Sequence, residues 1–146
     1  MLDTIIKLNA ACHQLDSAMR LLMDDGDVVC AITLAGAAEE VLGKSLGADA
    51  AAKEMEAELG KQFGTDVMNR MNETRNWLKH FDSRRGLLDQ HETDWLQNAV
   101  QLLCRALANV NRLRQRGQFI NFLPNESRFA EYVEVHKERL LEDYHR

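Results

Sequence analysis

Two ionisable side chains fall where the apolar pattern of this 146-residue chain calls for core. Glu39 shares a stripe with Val28, Ile32, Ala35, Leu42 and Leu46, and Arg75 shares one with Val67 or Met68, Met71 and Leu78. Burying either charge unpaired costs several kcal/mol, so the economical arrangement is an ion pair between the two helices that carry them. Left at that, the pair simply fixes how two helices dock. His80 adds a second possibility. A guanidinium is a permanent cation with several donors, and a histidine ordinarily titrates near neutrality. Together they could hold an anionic group and move a proton beside it. The spacing sets a condition, because five residues at 100° each put His80 roughly 140° from Arg75 on a continuous helix. A shared site requires the helix to end so that His80 swings round, or an interface that gathers groups from two chains. The helix breakers from Asp82 to Gly86 permit the first.

The charge distribution points to the same region. The net charge is −5, yet residues 1–66 hold 12 acids and 5 bases, 67–94 hold 5 of each, and 95–125 hold 4 arginines and no acid. An anionic ligand is therefore expected against the middle and later parts of the chain. Lys79, Arg84 and Arg85 flank Arg75 and His80, while Arg105, Arg112, Arg114 and Arg116 follow on the acid-free stretch. The alternative for these four is a solvated helix face whose C-terminal dipole favours cations.

The elements that must position these groups are helices. One proline, eight glycines and an abundance of Ala, Leu, Glu, Lys, Arg and Gln leave helix as the default, and no period-2 run is long enough for a sheet. Ile5, Leu8, Cys12, Leu15, Met19 and Leu22 mark a first helix, ended by Asp24-Asp25-Gly26. The second carries Glu39 and the small residues Ala31, Ala35, Gly36, Ala37 and Ala38, which allow a neighbour to approach closely. A weaker acidic helix follows around 50–62, anchored only by Met55, Leu59 and Phe63. Gly64 separates it from a third core helix that starts near Thr65 and ends between His80 and Gly86. Asp89-Gln90-His91-Glu92 reads as a capping box for a long fourth helix through Trp95, Ala99, Leu102, Leu103, Ala106, Val110 and Leu113 to Gly117. Pro124 opens a last helix with Phe129, Tyr132, Val133, His136, Leu140 and Tyr144 on one face. The expectation is an all-α antiparallel bundle of five or six helices in one domain, 1–146.

The segment Arg75-Asn76-Trp77-Leu78-Lys79-His80 resembles the R-x4-6-H motif of HEPN domains, a family of small helical bundles that includes many metal-independent ribonuclease toxins. Asn76 supplies the polar residue usual after the arginine, and the motif closes a core helix, as it does in that family. The helix Ala35-Gly36-Ala37-Ala38-Glu39-Glu40-Val41-Leu42 is similar to the family's small-residue helix with an acidic position, and the likeness covers roughly residues 1–116. It implies a homodimer in which two motifs meet in one composite cleft, and cleavage of single-stranded RNA by attack of a 2′-hydroxyl on the adjacent phosphate. His80 would move the proton, Arg75 would meet the charge developing on phosphate, and Asn76 would orient the phosphate or the histidine. Glu39 would hold Arg75 in place, and Lys79, Arg84 and Arg85 would take the RNA backbone. Where family members paired with nucleotidyltransferases commonly carry a tyrosine two residues after the histidine, this chain has Asp82.

Other chemistry has little to stand on. No cofactor or metal is expected: a di-iron bundle needs two Glu-x-x-His pairs, and the sequence offers only Glu142-x-x-His145. His91-Glu92 lacks the second histidine of a zinc protease, and no glycine-rich phosphate loop is present. Cys12, Cys30 and Cys104 are expected as reduced core thiols, Trp77 and Trp95 as core or contact residues, and His13, His136 and His145 as rim residues without partners. The opening Met1-Leu2-Asp3 lacks a basic leader and no apolar run reaches membrane-spanning length, so a cytoplasmic chain with no membrane partner is expected. Two functions remain in view: a HEPN-type endoribonuclease, toxin or phage-defence effector, held by an antitoxin or regulatory protein, and a non-catalytic module of that shape binding RNA, a nucleotide or a protein.

Overall fold

The computed structural model describes residues 1–63, 67–120 and 123–142, with the side chains of 60, 62, 63, 67, 68, 70, 141 and 142 left aside. Among these residues there are seven α-helices, one 3-10 turn and no strand.

α1 (Lys7–Asp25) and α2 (Val28–Leu46) form a hairpin across two residues. Gly26 makes the reversal at φ 62°, a conformation that a Cβ disfavours, with its N–H on the Leu21 and Leu22 carbonyls. Asp27 then caps α2 by accepting from the Cys30 N–H at 3.0 Å. Leu8, Cys12, Leu15, Met19 and Leu22 pack as the stripe requires, but Ile5 precedes the helix and is exposed. A pattern of three- and four-residue steps does not reveal where a helix starts if no cap marks the place, and α1 has no side-chain cap.

α2 is the central helix, packed between α1 and α5 (Trp95–Gln115). Its Ala31, Ala35, Gly36 and Ala38 are buried, so both neighbours come close and bury Ile32, Leu42, Leu103 and Val110 between them. α5 begins five residues later than the capping-box reading of 89–92 placed it. Asp94 is the cap, accepting from the Gln97 N–H at 2.9 Å.

α3 (Ala51–Phe63) matches the acidic stretch 50–62 and follows the 3-10 turn Gly47–Asp49. Its first turn is capped from outside the helix, because Ala50 has no capping side chain. Asn109 of α5, fully buried, accepts from the Ala51 N–H at 2.8 Å. The link expected at Gly64 and Thr65 lies outside the described residues, as do the side chains of Val67 and Met68. α4 (Val67–Lys79) packs on α2 and α3.

The last expected helix is two, α6 (Glu126–Val135) and α7 (Lys137–Glu142). The division falls at His136, whose Nδ1 lies 2.8 Å from the Tyr132 carbonyl and whose ring sits 4.1 Å from that of Tyr132. His136 is thus half-buried with a partner, contrary to its reading as a free rim residue, whereas His13 is exposed. α6 docks through buried Phe129, and Asp16 of α1 accepts from the Asn125 N–H and side-chain amide at 2.9 Å each.

All three cysteines are free, but only Cys12 belongs to the core, where burial pushes its thiol pKa up. Cys30 and Cys104 are exposed, because each falls beside a stripe rather than on it. No helix is long and apolar enough to cross a membrane among the described residues.

Candidate functional site

The seam between α2, α4 and α5 contains a charged layer inside an otherwise apolar bundle. Glu39 is 4% exposed and lies between two guanidiniums. Its Oε2 accepts from Arg75 Nη1 at 2.9 Å and its Oε1 from Arg105 Nη2 at 3.0 Å. Arg105 is as buried as Glu39 and donates through Nη1 to Asn72 Oδ1 at 3.0 Å, which leaves its Nε without a partner. Arg75 is less enclosed, with 23% of its side chain exposed. The expected pairing of Glu39 with Arg75 is therefore present, but it is one arm of a triad with two cations and one carboxylate.

A single glycine makes room for Arg75. A Cβ on Gly36 would stand 2.8 Å from Arg75 Cδ and 3.0 Å from its Cγ, inside the contact distance of carbon atoms. Arg75 thus crosses α2 at Gly36 to reach Glu39. Beside this crossing a cavity of about 180 Å³ opens between Thr33, Gly36 and Ala37 of α2 and Arg75, Leu78 and Lys79 of α4. Glu40 also lines it, and accepts from Lys44 and Lys79 at 3.0 and 3.1 Å. The two lysines, Lys44 first, hold the Glu40 carboxyl down at about 2.

His80 and Asn76 occupy a different place. α4 ends at Lys79, so His80 is the first residue beyond it, tied by its N–H to the Asn76 carbonyl at 3.0 Å. Both side chains are exposed, and neither lines the cavity at Arg75. The helix thus ends at the near edge of the stretch His80 to Gly86 where its end was expected, before the breakers Asp82 to Gly86 are reached. Within one chain the structure brings together Glu39, Arg75 and Lys79, and leaves His80 and Asn76 on the outer side.

The flanking cations are all matched. Arg84 lies against Asp82 with contacts of 3.1 and 3.2 Å, Arg85 is 3.8 Å from Asp89, and Lys79 holds Glu40. Arg84 lowers the Asp82 pKa through its side-chain hydrogen bonds. On α5 the row of four arginines divides. Arg105 is in the core, Arg112 meets Glu54 and the Asp49 carbonyl, Arg116 meets Asp49, and Arg114 makes two bonds to Glu126 at 2.8 and 3.0 Å. A helix without acids of its own is neutralised by acids from α3, the 3-10 turn and α6.

The segment 80–94 is held by contacts that sequence reasoning did not assign. Trp77 donates to Asp89 at 3.0 Å and stacks on His91 at 5.3 Å, and His91 meets Trp95 edge-on at 5.9 Å. The buried Thr74 hydroxyl lies 2.9 Å from His91 Nε2. These contacts set where the chain after His80 runs. Arg105, read from the sequence as a cation for RNA or a solvated face, is instead a buried core residue, and Asn109 and the packing role of His91 are what the sequence reading missed. The first two could have been found, since Arg105 lies three residues after Leu102 and Asn109 three after Ala106 on a stripe already identified.

The side chains of the Glu142 and His145 pair lie outside the described residues. Comparison with protein-family models, with curated proteins and with solved structures finds no match for this chain.

Proposed function

We propose that the chain is a metal-independent endoribonuclease of HEPN type, a toxin or phage-defence effector that cuts single-stranded RNA by 2′-hydroxyl attack. The observation that carries the reading is the posture of Arg75. It is anchored on Glu39 through one nitrogen, keeps part of its side chain open, and belongs to a triad with one cation in excess of its carboxylate. A preorganised, partly dry guanidinium of this kind suits charge that develops on a phosphate. Arg75 meets the phosphate, His80 moves the proton, and Asn76 orients one or the other. Glu39 positions Arg75, and Lys79, Arg84 and Arg85 exchange their carboxylate partners for RNA phosphates. No cofactor takes part.

Because His80 is exposed past the end of α4 while Arg75 is drawn inward, this reading joins them across a homodimer, the motif of one copy beside that of the other. Phe81, Leu87 and Leu88, which are 67%, 91% and 92% exposed next to the motif, are available for that contact or for an antitoxin or regulatory protein.

A second reading has its own observation. The His80 ring makes no hydrogen bond to a described residue, whereas a catalytic histidine is normally oriented by one. That favours a non-catalytic module that binds RNA, a nucleotide or a protein through the same face. The test is cleavage of mixed-sequence single-stranded RNA in EDTA by wild type, Arg75→Ala and His80→Ala, each checked for folding. Arg75→Ala is expected to fold, because Glu39 keeps Arg105. Cutting by the wild type alone, with 2′,3′-cyclic phosphate ends, is the expected result. Three folded and inactive proteins would replace it with the binding module.

A further inference from the structure

We infer that the cavity between α2 and α4 is a binding site for a phosphate dianion, either free inorganic phosphate or the terminal phosphate of a nucleotide chain. The inference shares Arg75 with the ribonuclease reading but requires no cleavage, and the cavity lining does not include His80.

Charge is the first argument. Two cations, Arg75 and Lys79, and one carboxylate, Glu40, line the cavity, and they continue into a network in which Arg105 shares Glu39 with Arg75 and Lys44 shares Glu40 with Lys79, through contacts of 2.9 to 3.1 Å. The network as a whole carries an excess of two positive charges in a chain whose net charge is −5. At neutral pH a phosphate monoester carries about −1.5 to −2, which matches it. Glu40 keeps its charge at that pH, since Lys44 and Lys79 hold its carboxyl at about 2.

Donor geometry is the second. Arg75 uses only Nη1 on Glu39, so its Nε and Nη2 are without a partner among the described residues, and they form the edge that binds an oxyanion in paired fashion. Lys79 contributes an ammonium from one turn further along α4, with two of its three hydrogens uncommitted. Thr33 uses its hydroxyl hydrogen on the Val29 carbonyl and presents only lone pairs, so the anion is expected against α4 rather than α2.

Size is the third. The cavity of about 180 Å³ is below the roughly 300 Å³ at which sites for drug-sized ligands begin. It admits a phosphate group and its hydration, and leaves the remainder of a nucleotide outside. Gly36 keeps the cavity and the arginine together, because its missing Cβ is what allows Arg75 to pass.

The experiment is a calorimetric titration of inorganic phosphate into the full chain, in a buffer free of phosphate and sulfate. Saturable one-to-one binding is expected for the wild type and for Arg20→Gln, which removes an exposed cation on α1. Arg75→Gln and Lys79→Gln are each expected to bind about tenfold more weakly or worse, the loss that follows removal of a charge-assisted hydrogen bond. Ala37→Leu keeps every charge and fills the space, so it decides the matter if Arg75→Gln does not fold. Its binding is expected to be lost. A wild type that does not bind, or an Ala37→Leu protein that binds as well as the wild type, overturns the inference. Competition with short single-stranded DNA, which lacks the 2′-hydroxyl and cannot be cut, separates the sources. A 5′-phosphorylated strand that competes where its 5′-hydroxyl counterpart does not identifies a chain terminus as the ligand. Two strands that compete equally poorly leave free phosphate as the ligand.

Discussion

The inner charged layer and the outer rim of the same helix use one residue type in opposite ways. Arg75 and Arg105 converge on Glu39 in a seam where solvent is nearly excluded, while Arg84 and Arg85, themselves 88% and 67% exposed, sit on the segment after α4 with half-buried carboxylate partners. Outside, a carboxylate near an arginine is screened and worth little, so these pairs give way readily to another anion. Inside, the same pairing controls whether the helices dock, because any member left alone is an uncompensated charge in a low dielectric. Arg75 lies at the boundary. It is fixed from within by Glu39 and still reachable from outside, which is why the candidate site gathers round it rather than round the more numerous cations of the rim.

The most direct way to break this contrast is to remove the carboxylate at its centre. Glu39→Gln leaves both guanidiniums without a counter-charge, and the expected loss is about 3–5 kcal/mol in urea unfolding. Arg75→Gln leaves Glu39 with Arg105 and should cost clearly less. Equal losses for the two variants would mean that the Glu39–Arg105 arm contributes nothing of its own.

Gly36→Ala comes next. The added methyl meets Arg75 at Cγ and Cδ, near the base of the side chain, so the arginine cannot simply swing its tip aside. An overpacking cost of about 1–3 kcal/mol is expected by the same unfolding measurement. RNA cleavage, if present, should fall with it. A variant as stable and active as the wild type would show that Arg75 does not need this path across α2.

Much of this layer was legible in the sequence. The stripes of α1, α2 and α5 held, and Glu39 and Arg75 stood out as charges on apolar stripes. Arg105 did not stand out, for a physical reason: it lies in a run of four arginines whose common feature is the absence of neighbouring acids, and the acids that neutralise them come from other helices. Sequence-local charge balance cannot see partners 58, 66 or 67 residues away. The start of α5 was misread because Asp89 and Glu92 have the spacing of a capping box. The Asp89 side chain is instead used by Trp77, and that of His91 between them by Thr74, across a turn that local pattern does not define. The relation of His80 to Arg75 was readable as an angle on an ideal helix, and His80, one step past Lys79 with its N–H still on the Asn76 carbonyl, is exposed and outside the cavity at Arg75, the separation that angle implies.

The segment after α4 offers a gentler test of how independent the rim is. Trp77→Phe keeps ring contacts with His91 and Trp95 but loses the hydrogen bond to Asp89, a loss of about 1 kcal/mol. Amide exchange should quicken over residues 80–94 and stay unchanged in α2 and α5. Exchange that quickens in α2 as well would mean that the rim and the inner layer are coupled.

The smallest expected effect concerns pH. Glu40 is an exposed carboxylate, yet Lys44 and Lys79 lower its pKa from 4.5 to about 2. A carboxyl whose pKa is depressed by folding stabilises the folded state above its unfolded value and loses that contribution as pH falls through the folded one. The window therefore runs from about 4.5 down to about 2. Both lysines are largely solvated, so the contribution is that of a surface pair, under about 1 kcal/mol. Wild type should exceed Glu40→Gln in stability at pH 7 by this small margin, and the two should converge as pH approaches 2, with salt narrowing the gap at every pH above it. A gap that survives at pH 2 would assign the role of Glu40 to packing along α2. A gap that responds to acid but not to salt would place its carboxylate with the enclosed charges of Glu39, and would move the boundary between the two regions one residue outward.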